Sequence, residues 1–208
     1  MDIVRLADFY RSLPMLSVSL YAALWNSPGF TGSILQNASS LLIVSQKLRH
    51  PVLFRECFVH VVSRWQGPDG SALKDHPDLC YLITASQLNV SKLVIAADHA
   101  IMLNCTRDWN PSNITSNKIF QIADSTLFGP RPPLHSASFY RGLYSKSGES
   151  NFGMRPETKA ALKALLENGL VLDRTGAEAG TPGNYSNVFL CAWILDGDLP
   201  WDQNENDW

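Results

Sequence analysis

Cys57 and His60 stand three residues apart, close to one helical turn, and a thiol within reach of an imidazole is the pairing that activates a cysteine nucleophile. Such a thiol also needs an exposed, electropositive setting. Cys57 lacks one, because it belongs to an apolar stripe with Leu53, Phe54, Phe58, Val61 and Trp65. His60 follows Glu56 by four residues, the spacing of a local pair on a helix. Both residues therefore read as structural, and no catalytic residue is assigned. His50, His76, His99 and His135 show no ligand spacing, and Cys57, Cys80, Cys105 and Cys191 form no CxxC, so neither metal nor cofactor is expected. Gly176, Gly180 and Gly183 share a loop that lacks the lysine and hydroxyl of a phosphate-binding loop. Asp196, Asp198, Asp202 and Glu205 follow a calcium-loop pattern only in part, since Pro200 takes a ligand position. What remains is recognition. Trp201 and Trp208 are aromatic anchors among acids, Asp202 included, and suit either a peptide for a basic, apolar groove or a clasp folded back on the body. The clasp is the preferred reading.

The elements that carry these residues read as helices. Leu41, Val44 and Leu48 share one helical face, Asn37, Ser39 and Ser40 signal its start, and Pro51 begins the next helix. From Leu53 to Trp65 the apolar stripe is wide enough for a core-facing helix, with Arg55, Glu56, Val59 and Ser63 expected to turn outward. The same design precedes it, with Ile3, Leu6, Tyr10 and Leu13 on one helix, Pro14 at the joint, then Leu16, Leu20, Tyr21 and Leu24. Hairpins that repeat in this way usually stack, because neither buries its apolar face alone.

Four regions follow: 1–66, the helical hairpins, joined by a turn-rich connection over 26–37; 67–106, a linker and a long helix, buried or shared with a second copy near 87–105; 107–155, an irregular connector with one helical turn near Lys118 to Asp124, anchored by Phe139, Tyr140 and Tyr144; and 156–208, a small unit with a helix over 156–168, short strands at 170–173 and 187–195, and an acidic tail. The fold class is mainly α, stacked helical hairpins with a small C-terminal helix and short-strand unit.

With 45% hydrophobic and 17% charged residues, the chain can bury a core. A net charge of −2 gives no overall attraction to phosphate backbones or anionic membranes. Residues 1–155 carry +4 and residues 156–208 carry −6, so the acidic end is expected to be solvated or to face a basic partner. No apolar run approaches the ~18 residues of a membrane span, and the amphipathic N-terminus contains acids and no signal core. The cysteines are accordingly read as reduced thiols of a cytoplasmic or nuclear protein. N-x-S/T triplets at Asn37, Asn89, Asn104, Asn113 and Asn184 would matter only in a secreted chain.

Residues 6–16, LADFYRSLPML, resemble the closing helical hairpin of a BTB/POZ domain. Residues 41–62, LLIVSQKLRHPVLFRECFVHVV, resemble the BACK-like extension that follows this domain in fungal BTB/POZ proteins. Residues 170–180, LVLDRTGAEAG, and 189–202, FLCAWILDGDLPWD, are similar to the C-terminal segment of that family. The resemblance implies an interaction module, an adaptor or scaffold with protein partners, linked to ubiquitin-ligase or transcriptional assemblies. The mixed strand and helix region of a BTB domain would precede Met1, so its dimerisation and cullin-binding surfaces do not carry over. The resemblance is strongest over 3–65 and 170–202. The runner-up is a nucleic-acid binder of winged-helix outline, built from helix 156–168 and the two strands, which lacks a basic stripe.

Overall fold

The computed structural model describes residues 2–26, 28–67, 72–107, 117–119, 121–123, 137–149, 152–172, 174, 177–179, 185–202 and 205. Among them the protein is mainly α-helical. The helices are α1 (Asp2–Phe9), α2 (Leu13–Asn26), α3 (Pro28–Lys47), α4 (Pro51–Val62), α5 (Pro77–Arg107), α6 (Ala137–Lys146) and α7 (Pro156–Leu165), and Asp196–Asp198 adds a 3-10 turn. The chain forms two compact units. The first contains Met1–Ser86, Leu170–Asp173 and Ala192–Trp208, and the second contains Gln87–Gly169 and Arg174–Cys191.

In the first unit α1 packs on α2, α2 on α3 and α3 on α4. Two of its helix ends close by the same device. The N–H of Ser12 bonds the carbonyl of Ala7 and that of Arg11 bonds Asp8, which places Arg11 in the left-handed region at φ 50°. At the end of α3 the N–H of His50 bonds Ser45 and that of Arg49 bonds Gln46, with Arg49 at φ 45°. Both are Schellman closures, a position where glycine is usual. The joint of the first pair is therefore residues 10–12, with Pro14 inside the first turn of α2, rather than Pro14 itself.

Several expectations are corrected. Residues 28–37 are the first half of α3, not a turn-rich connection. Ile34, Ala38 and Leu42 recur every four residues and are buried, and this burial outweighs the roughly 1 kcal/mol that each of Gly29 and Gly32 costs a helix. Ile3, Leu6 and Tyr10 are exposed while Val4 and Ala7 are buried with Leu13 and Leu48, so α1 turns its other side inward. Glu56 and Val59 are buried rather than outward. Leu53, Phe54, Phe58, Val61 and Trp65 all lie in the core, with Phe54 stacked on Phe58 at 6.1 Å.

Helix α5 begins at Pro77, ten residues before the expected start near 87, with proline and Asp78 in its first turn. It is half-exposed rather than buried: Tyr81, Leu88, Ile95 and Met102, seven residues apart, are all exposed. By length and composition it meets the requirement of a membrane span, which the sequence had not suggested.

The second unit has its core where Val94, Ala97 and Ile101 of α5 meet Phe139, Tyr140 and Leu143 of α6, Leu162 and Leu165 of α7, and Phe152. α6 lies in the region expected to be irregular, while 117–119 and 121–123 are helical as expected. Polar side chains seat these elements: the Tyr140 hydroxyl donates to Asp98 at 2.9 Å, the Thr158 hydroxyl to the Ala100 carbonyl at 3.1 Å, and the Arg155 N–H to Asn104 at 3.0 Å. The segments 170–173 and 187–195 form no strand among the described residues. Their backbone groups find other partners, as with Gly169, whose N–H bonds the Leu190 carbonyl at 2.8 Å.

Candidate functional site

Cys57, His60 and Glu56, which the sequence sets within one turn of each other, are buried inside the first unit. Helix α4 starts at Pro51 because His50 caps it: the imidazole Nδ1 accepts the Leu53 N–H at 3.2 Å. Burial holds the His50 imidazole below its ordinary pKa of 6.5, so it is a neutral acceptor. One turn on, Cys57 is fully buried, and burial followed by the neighbouring Glu56 carboxylate pushes its thiol far above the ordinary range. A thiol so placed does not ionise near neutral pH. Glu56 Oε2 accepts the N–H groups of Val171 and Leu172 at 2.6 and 2.8 Å, while Oε1 lies 3.8 Å from His60 Nε2. The carboxylate therefore staples residues 171 and 172 to α4. Glu56 and His60 lie 3.8 Å apart, as their four-residue spacing suggests, and Cys57 is buried on the same helix.

The tail is held on the same unit. The Trp201 ring meets Phe54 edge-on, with centroids 5.2 Å apart. Arg49 Nη2 pairs with Glu205 at 2.6 Å, and its Nη1 donates to the carbonyls of Asp202 and Glu205. Arg55 pairs with Asp196 and donates to the Ile194 carbonyl. Asp196 and Glu205 thus face arginines of the first unit instead of being merely solvated. Trp208, His135, Gly176, Gly180 and Gly183 lie outside the described residues.

Between the middle of α3 and the end of α4 lies a cavity of about 320 Å³, lined by Asn37, Ser39, Ser40, His60, Arg64 and Trp65 among others. It is polar and at the lower size limit of small-molecule sites. Among the described residues no cluster of three metal-ligating side chains occurs.

In the second unit Cys191 is buried beside Arg141, and burial raises its pKa to about 11. Arg141 itself is buried and donates to the Glu178 carbonyl at 2.8 Å. The exposed surface offers something different. On α5, Leu88, Ile95, Met102 and Leu103 stand out from the core-facing Val94, Ala97 and Ile101. Apolar residues on nearly every side of this helix left burial and sharing with a second copy as alternatives, and the exposure of these residues removes the first. The seven-residue spacing of the exposed subset was the available signal.

No family model matches the chain, and no curated protein or solved structure matches it either.

Proposed function

We propose that the protein is a non-enzymatic interaction module, an adaptor or scaffold that binds another protein. The observation that carries this reading is the exposed apolar face of α5 between Leu88 and Leu103. Exposed apolar patches of this kind are characteristic of binding surfaces. The inert setting of Cys57, His60 and Glu56 favours the same reading over catalysis. The sequence resemblance of residues 3–65 and 170–202 to the helical region of fungal BTB/POZ proteins supports this reading, and under it the adaptor would serve ubiquitin-ligase or transcriptional assemblies.

The test is reconstitution. The tagged chain is purified with its bound protein from its own cells, the complex is rebuilt from purified components, and Ile95→Glu is compared with Glu157→Gln. A defined complex that survives Glu157→Gln and is lost in Ile95→Glu supports the reading. Substrate turnover by the isolated chain, or steeply salt-dependent binding to duplex DNA, would replace it.

A further inference from the structure

Arg141 is 4% exposed, a full charge set inside the second unit. Ala137, Tyr140, Arg141 and Tyr144 fall at i, i+3, i+4 and i+7 of α6, so the arginine takes a position on the core-facing stripe where an apolar residue would be usual. Burial weighs against its charged form, yet a guanidinium stays protonated in proteins, so the charge remains. Arginine is rarely buried this deeply unless something pairs it.

The bonds of this guanidinium are lopsided. Nη1 donates to the Glu178 carbonyl at 2.8 Å, whereas Nε and Nη2 are both buried and have no hydrogen-bond partner among the described residues. Nε and Nη2 form one edge of the group, and their N–H bonds run parallel. The unpartnered part is therefore a complete fork, shaped for two oxygens of one oxyanion, rather than a stray donor.

The charge is unbalanced as well. Among the described residues the ionisable group acting on it is the Cys191 thiol, whose pKa is raised to about 11 by burial, so it is neutral near pH 7. Asp98, the half-buried carboxylate of α5, accepts the neighbouring Tyr140 hydroxyl instead. A buried charge without a counter-ion, half of whose donors are unmet, is strongly destabilising.

We propose that the Nε–Nη2 edge of Arg141 binds the carboxylate of a small organic acid side-on. Two oxygens match the fork, and one negative charge equals the one positive charge present. A phosphate dianion would leave a net negative charge inside the unit, and no second buried lysine or arginine occurs among the described residues to offset it. The proposal stands on the second unit alone and is independent of the adaptor reading.

The Arg141 Nε–H resonance of the full chain, assigned through its own backbone, is followed by NMR while sodium acetate is added, with sodium chloride as the ionic control and sodium phosphate as the competing oxyanion. Acetate is expected to shift the resonance downfield with a Kd on the order of 1 mM, and chloride to leave it in place. At about tenfold above that Kd the melting temperature should rise by about 3–6 °C. Arg141→Lys keeps the charge but lacks the fork, and should lose most of that rise. If this variant does not fold, the wild-type resonance alone decides. A carboxylic acid recovered in stoichiometric amount from an acid extract of the purified protein also supports the proposal, since an acid held that tightly would block acetate. No response to acetate together with no acid in the extract overturns it. So does a shift that chloride reproduces, a stronger response to phosphate than to acetate, or an undiminished acetate response in Arg141→Lys.

Discussion

Arg11 and Arg49 hold the same left-handed backbone at the same position of two helix ends, φ 50° and 45°, each closing a Schellman turn before the next helix. A side chain in this region costs roughly 1–2 kcal/mol relative to the right-handed one, and glycine avoids that cost. Arg11→Gly is therefore expected to stabilise the protein by about 0.5–1 kcal/mol, after allowance for the freer unfolded chain. Arg49→Gly should gain less, because it also loses the pairing with Glu205, an exposed contact worth about 0–1 kcal/mol. Urea denaturation of the two variants checks the difference, and a destabilised Arg11→Gly would contradict it.

Glu56→Ala removes the acceptor of the Val171 and Leu172 N–H groups at once. The expected loss is roughly 2–5 kcal/mol. Glu56→Gln keeps one oxygen for those donors and should recover part of it. If both variants match the wild type in denaturant midpoint, the carboxylate does not hold the segment.

Phe58 is 1% exposed and stacks on Phe54, so Phe58→Ala should cost roughly 3–5 kcal/mol. A measured loss below about 1 kcal/mol would place the core on another face of α4.

Stability should fall on acidification through His50. Burial lowers its folded pKa beneath the ordinary 6.5, so the unfolded chain binds the proton more readily. The contribution is complete above pH 6.5 and declines as pH drops below it. His50→Asn retains an acceptor for the Leu53 N–H and should flatten this slope in thermal melts between pH 7 and pH 5. An unchanged slope would assign the acid sensitivity elsewhere.

The four thiols should separate by reactivity. Cys57 and Cys191 are buried with raised pKa values, whereas Cys80 and Cys105 are partly exposed. An alkylating reagent at pH 8 should modify the buried pair at least about a hundredfold more slowly in the native protein, as followed by mass spectrometry. Equal rates would show that α4 and the segment around Cys191 open readily.

The helical class was legible because its signals are local: proline at the starts of α4 and α7, and apolar periodicity between them. The α4 core was legible for the same reason, since a stripe of Leu53, Phe54, Phe58, Val61 and Trp65 has one way to face inward. Residues 28–37 misled, because Gly29 and Gly32 signal a turn locally while the buried ladder of Ile34, Ala38 and Leu42 depends on α4. Glu56 misled in the opposite way. A carboxylate reads as surface unless its donors are known, and those donors lie more than a hundred residues away in sequence. The strands expected at 170–173 and 187–195 failed similarly, as β-branched and aromatic content gives no pairing partner.

The donors that Glu56 needs lie 115 and 116 residues downstream, and the carboxylate that Arg49 meets lies 156 residues downstream. At roughly 5–20 residues per second, the ribosome leaves α4 without its cover for on the order of ten seconds after it emerges. For that interval the nascent chain exposes a carboxylate embedded in an apolar surface, with the Phe54 edge also bare. Residues 171–205 thus complete the packing of helices synthesised more than a hundred residues earlier, and a premature stop after α7 would leave those helices as a client for chaperones and proteases.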